Sequence, residues 1–321
     1  MIRELIRYMP RLKTIAVSAL AALFAPALFA LDVQNAPAPN PAVPGTLNYV
    51  EGSAQLNGQA VGQRAVGSAT LQPGQTISTT SGHAEVLLTP GVFLRLGQNS
   101  AAKMVSPNLT DTAVAIEHGR AAVEVDQLFK QNDIHIVENN VPVQLVKTGL
   151  YEFNADDGTV KVFDGEAAVS KGNGHWTMVK DGHELNLAEG PSQKAAKFDK
   201  DQAEQSGLYR WSSLRSDYLA EANNQLAAQY GEGYAPGWYW DPWMFDYTFL
   251  GPSPFYSPFG WGFYPFGYMG GFYGGGFYGR PINHGGFAGF RGGAFRSGGE
   301  MGGFHGGGGF GGFHGGGGRG R

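Results

Sequence analysis

Cysteine is absent from the 321-residue chain. That excludes a disulfide framework, a thiolate metal centre and a cysteine nucleophile, so burial and hydrogen bonding alone must hold the fold. Charge is also scarce: Asp, Glu, Lys and Arg make up 16% of the residues, with a formal net charge of −4. Such a body is a poor binder of polyanions, and nucleic acid is not an expected partner. No serine sits in a Gly-x-Ser-x-Gly elbow with suitable partners, and no Gly-rich phosphate loop precedes a lysine. The chain is therefore read as a non-enzyme with no cofactor and no metal centre.

Glycine is what the chain has in excess, 51 residues, most of them beyond Tyr230. The foldable part is accordingly nearer the middle than the whole. Residues 45–190 suffice for one core, since chains of roughly 150 residues hide about two thirds of their extended surface.

At the N-terminus Arg3, Arg7, Arg11 and Lys13 precede an apolar run from Ile15 to Ala25, followed by Pro26 and the small residues Ala27 and Ala30. This is the pattern of a secretory signal peptide over residues 1–30, cleaved after Ala27 or Ala30. A retained anchor is the alternative, but Ile15 to Leu31 is short for a span of about 20 residues and contains Pro26. Removal of the leader takes away four basic residues and Glu4, leaving a mature chain near −7. Periplasm or cell envelope is the expected location. Residues 31–44, with Pro37, Pro39, Pro41 and Pro44, read as an extended linker.

Residues 45–190 carry short β-branched and aromatic runs about ten residues apart, punctuated by Asn57-Gly58, Pro73-Gly74, Pro90-Gly91, Asn139-Asn140, Asp157-Gly158 and Asp164-Gly165. The spacing predicts a mainly β domain, an antiparallel β-sandwich or a β-solenoid-like wind. From 198 to 230, Leu208, Trp211, Leu214, Tyr218, Leu219, Ala222 and Leu226 recur at helical intervals, with Arg210, Arg215, Asp217 and Glu221 between them. This predicts an amphipathic helix packed through Trp211 on the β body or on another helix. Residues 231–321 read as an aromatic and Gly-rich low-complexity tail, disordered where glycine dominates.

Candidate chemistry is thin. Asp156-Asp157 and Asp164-Gly165-Glu166 offer paired carboxylates, but Asp-Gly pairs are what turns select. His305 and His314 stand in repeated Phe-His-Gly-Gly units with no carboxylate beside them, too loose for a tight metal site. Five arginines against four carboxylates beyond Gly231 give the tail a net +1, too weak to grip phosphates. Its aromatics are more informative: Trp238, Trp240, Trp243 and Trp261 form a candidate interaction surface for a glycan, an envelope protein or a membrane interface.

The run Gly74-Gln75-Thr76-Ile77-Ser78-Thr79, then Ser81-Gly82-His83-Ala84-Glu85-Val86-Leu87-Leu88 and Gly91-Val92-Phe93-Leu94-Arg95-Leu96, resembles the signature of the FecR-like periplasmic domain. Thr148 to Phe153 and Val160 to Val169 are similar to that family's second half. The resemblance covers residues 45–190 and implies an exported, all-β, non-enzymatic domain. Founding members relay transporter occupancy to a cytoplasmic sigma factor through an anti-sigma segment ahead of the membrane span. Here Met1 to Lys13 is too short to fold as such a segment. The expectation is thus an exported envelope protein with a binding or structural role, and the alternative is a membrane-anchored signalling regulator.

Overall fold

A computed structural model describes residues 41–170, 174–188, 194–229, 235–265 and 267. The residues read as a signal peptide, most of those read as a linker and the Gly-rich stretch with His284, His305 and His314 lie outside the described residues. The β body runs through β1 (Leu47–Leu56), β2 (Gln59–Val61), β3 (Thr76–Leu87), β4 (Val92–Leu96), β5 (Ser100–Asn108), β6 (Asp111–His118) and β7 (Arg120–Val125). It continues through β8 (Ile134–Glu138), β9 (Val141–Leu145), β10 (Gly149–Asn154), β11 (Thr159–Asp164), β12 (Glu166–Ser170), β13 (Trp176–Lys180), β14 (His183–Asn186) and β15 (Ala196–Lys197). A short helix, Lys200–Ala203, and a long one, Gly207–Gln229, follow. Then come a hairpin of β16 (Gly237–Asp241) and β17 (Asp246–Leu250), and the small pair β18 (Phe255–Tyr256) and β19 (Gly262–Phe263).

The chain is mainly β, as its strand spacing predicts. Asn57-Gly58 closes the β1–β2 hairpin and Asn139-Asn140 the β8–β9 hairpin, each with both residues at positive φ, the geometry that matches strand twist. The strands hydrogen-bond in the order β13-β12-β9-β8-β6-β5-β3-β4-β7-β10-β11-β14-β15, with β1 on β3 and β2 on β1. All these pairings are antiparallel except β6 with β8.

This continuous sheet folds over on itself because β3 serves two leaves. Thr76 to Thr79 pairs with β5, whereas Ala84 to Leu87 pairs with β4. The change of leaf falls where Gly52 of β1 meets Gly82 of β3. A Cβ on Gly82, at φ 137°, would lie 1.9 Å from the Glu51 carbonyl oxygen, so the two backbones approach to a distance only glycine permits. Between the leaves lies one core: Ile77, Met104, Val114, Ile136 and Val143 from one side meet Val86, Leu94, Val123, Tyr151, Phe153 and Val162 from the other. The architecture is therefore sandwich-like.

On the second leaf the alternate residues, facing away from that core, are buried as well. Leu87, Phe93, Ala122, Leu150 and Phe163 pack under the long helix and the β16–β17 hairpin, which make a third layer. Trp211 is 9% exposed and does pack against the β body, stacked on His83 at 4.5 Å. The buried stripe of the helix differs from the apolar one expected. Leu214 and Tyr218 face solvent, while Ser212, Arg215, Ser216 and Asn223 are buried. The reading of residues 231–321 as a low-complexity tail also needs correction in its aromatic part. Tyr247, Phe249, Leu250 and Phe263 are buried in the third layer, because the aromatic-rich part has enough contiguous side-chain area to pack.

Candidate functional site

The most concentrated polar chemistry lies between the second leaf and the helix. Strand alternation turns Glu85, Arg95 and Glu124 to the same face, and the β3–β4 register sets Glu85 opposite Arg95. All three are buried. Arg95 Nε donates to Glu85 Oε2 at 2.7 Å, and its Nη1 donates to Glu124 Oε2. From the helix, Arg215 Nη2 donates to Glu85 Oε1 and to Asp246 Oδ2 of β17, each at 2.9 Å, with the guanidinium 4.1 Å over the Tyr49 ring. Ser216 Oγ donates to Glu124 Oε1 at 2.7 Å. Five elements thus meet on two arginines and three carboxylates.

The titration of these groups follows from burial set against pairing. Burial alone would raise Glu85, but Arg215 and Arg95 overcome it and hold the carboxyl at about 2. Burial works against the charge on both arginines, and their carboxylates outweigh it, so both stay cationic. Among the described residues Asp246 has only Arg215 as a counter-charge, and burial pushes it up to about 6. Asp126, buried beside Glu124, is raised well above the usual carboxylate range by burial and by that neighbour.

Two buried amides complete the joint. Asn48 Nδ2 donates to the Tyr247 carbonyl at 2.9 Å, and its Oδ1 accepts from the Tyr247 N–H at 2.7 Å. Asn223 Nδ2 donates to the Phe249 carbonyl at 2.9 Å, while its Oδ1 accepts from the Tyr264 N–H at 2.7 Å. Asn48 and Asn223 Nδ2 thus supply to the free edge of β17 hydrogen bonds that a third strand would have made, and Asn223 Oδ1 ties in the chain just after β19. With both arginines engaged by carboxylates on several elements, the cluster joins layers and presents no free nucleophile or base to solvent.

The four tryptophans singled out from the sequence do not share one environment. Trp238 is half-buried, edge-on to Phe93 at 4.9 Å and to Phe249 at 5.7 Å. Trp240 is half-buried against Tyr247 at 5.1 Å. Trp261 is partly exposed and tethered, its Nε1 donating to the Ser213 carbonyl at 3.1 Å. Trp243 alone projects freely, 77% exposed at the tip of the β16–β17 hairpin. Exposed Phe245 at the same tip and exposed Tyr256 on β18 escaped the sequence reading, which weighed tryptophans only. The Asp241-to-Asp246 spacing of a hairpin turn was the signal that could have found Phe245.

The turn carboxylates behave as turn residues. Asp156 Oδ1 accepts from the Gly119 N–H at 2.8 Å, Asp157 Oδ2 from Asn154 Nδ2 at 2.5 Å, and Asp164 Oδ1 from the Gly165 N–H at 3.0 Å. Among the described residues no group of three His, Asp or Glu side chains is arranged to hold a metal ion. Among them, too, no helix is long and apolar enough to cross a membrane.

No family model and no curated protein sequence matches the chain. Two crystal structures of a candidate anti-sigma factor from Parabacteroides distasonis are similar to part of it. One, at 2.50 Å resolution, is 19% identical with a TM-score of 0.34, covering 41% of this chain and 64% of that one. The other, at 1.65 Å, is 18% identical with the same TM-score of 0.34, covering 40% and 62%. The similarity thus spans less than two thirds of the length of either structure.

Proposed function

We propose that the chain is an exported, non-catalytic protein of the bacterial cell envelope, built on a FecR-like β domain, that acts by presenting an aromatic surface to a partner. The observation that carries this reading is the division of labour between the polar and aromatic groups. The charged side chains gathered under the helix are used up in joining layers, whereas Trp243, Phe245, Tyr256 and Trp261 remain exposed in the same C-terminal module. Exposed rings on a rigid support are what an interaction surface needs, since they order with little loss of side-chain freedom. The signal-peptide pattern of residues 1–30 and the motifs at Gly74 to Leu96 support the envelope location and the domain type.

Two measurements test this. N-terminal sequencing of the protein from its native host should begin at Leu28 or Leu31; an intact Met1 would favour the anchored alternative. Capture experiments from envelope extract with the full chain and with a Trp243→Ser variant should differ. Equal capture by both would move recognition to the β domain and sink the aromatic-surface reading.

A further inference from the structure

Resting on that reading, we infer that the tip of the β16–β17 hairpin, Pro242 to Phe245, is a membrane-interface anchor that seats Trp243 and Phe245 in the headgroup region of a lipid bilayer. The tip is apolar to an unusual degree for an exposed turn. Trp243 is 77% and Phe245 54% exposed, with Pro242 and Met244 between and beside them. From Gly237 to Leu250 there is no Lys, Arg, His, Asn or Gln, and the two carboxylates, Asp241 and Asp246, are buried. A sugar or a polar peptide would find rings there but, apart from the Trp243 indole N–H, no exposed polar side chain at the turn to hydrogen-bond its hydroxyls or amides.

The backbone is prepared for the same environment. Asp241 Oδ1 accepts from the N–H groups of Trp243 at 2.7 Å and Met244 at 3.3 Å, and the Asp241 carbonyl accepts from Phe245 N–H at 2.9 Å. Pro242 has no N–H to satisfy. Every amide donor from Pro242 to Phe245 is therefore paired internally, so the turn can enter the polar headgroup region, where its carbonyls keep water and headgroup donors, without stranding an N–H.

Phe245 gives an independent sign. Its φ is +55°, the left-handed region where a bulky residue is strained and glycine is natural. The ring held there is mostly solvent-exposed, meeting Trp240 edge-on at 6.5 Å, and so adds little to the core. Strain retained for an exposed ring points to use outside the fold.

The test is flotation of the purified full chain with vesicles of phosphatidylcholine, and with vesicles containing phosphatidylglycerol, at low and high salt. Trp243→Ser and Phe245→Gly, alone and together, are the variants; both sites are exposed, and glycine relaxes the φ of residue 245. The double variant should lower the vesicle-bound fraction about tenfold or more while melting no earlier than the parent. Because the tip is uncharged, binding should survive high salt and need no anionic lipid. A double variant that floats like the parent overturns the anchor, as does binding that requires phosphatidylglycerol and vanishes in salt. If the variant floats unchanged yet loses an envelope protein captured by the parent, the lipid inference falls and the aromatic-surface reading stands; if neither changes, both fall.

Discussion

Glu138 offers the sharpest test of how this fold handles charge. It ends β8 on the same face as Ile134 and Ile136, is 0% exposed, and neither of its carboxylate oxygens has a hydrogen-bond partner among the described residues. Burial pushes its pKa from 4.5 up to about 8. A carboxyl raised in the folded state contributes stability that is whole below pH 4.5 and is lost as pH climbs towards 8. At pH 7 the folded group is still protonated while the unfolded one has ionised, and at about 1.4 kcal/mol per unit this costs about 3 kcal/mol relative to pH 4. Glu138→Gln keeps the shape and removes the titration. Urea unfolding of both proteins from pH 4 to pH 8 should give a difference that grows with pH in favour of the variant, reaching about 3 kcal/mol at neutrality. Comparing the same pair of proteins across pH cancels any fixed change in packing. Parallel stability curves for the two would refute the reasoning, and so would a variant whose advantage is largest in acid.

Three further outcomes follow from the joint between layers and from the bend. Arg215→Met should destabilise by about 3 to 5 kcal/mol by leaving Glu85 and Asp246 buried without their shared counter-charge, and adding Glu85→Gln should recover part of the loss, read as a coupling energy in a double-mutant cycle by chemical denaturation. Asp246, raised from 3.8 to about 6, contributes stability that is lost as pH rises through that interval, so Asp246→Asn should flatten this part of the pH profile of thermal unfolding. Gly82→Ala should cost at least about 3 kcal/mol in chemical denaturation, because backbone blocks its Cβ, whereas Gly58→Ala, also at positive φ but with nothing within 4 Å, should cost only about 1 kcal/mol.

The strands and their turns were legible in the sequence because both are local. Asn57-Gly58 closes a hairpin through the dihedrals of two residues, and the alternation Ala84, Val86, Leu88 points one face inward whatever lies beyond. The family-like run from Leu71 to Ser100 carries these local signals in concentrated form, and it supplies the central strands β3 and β4. It gives no hint that Glu85 and Arg95 are buried. A charged residue on the far face of a strand reads as solvated until something covers it, and the cover is a helix whose Arg215 lies 130 residues further on.

The same gap separates the four tryptophans. Composition marks Trp238, Trp240, Trp243 and Trp261 equally, but the two-residue period of β16 turns Trp238 onto the sheet, while the turn after Asp241 throws Trp243 outward. Sequence by itself determined which residues could form strands and where the chain could turn, since each depends on neighbours a few bonds away. Tertiary structure decided which charges are buried, which rings face water and that part of the aromatic tail belongs to the body. Those outcomes depend on surfaces that meet only when residues far apart in the chain exclude water between them.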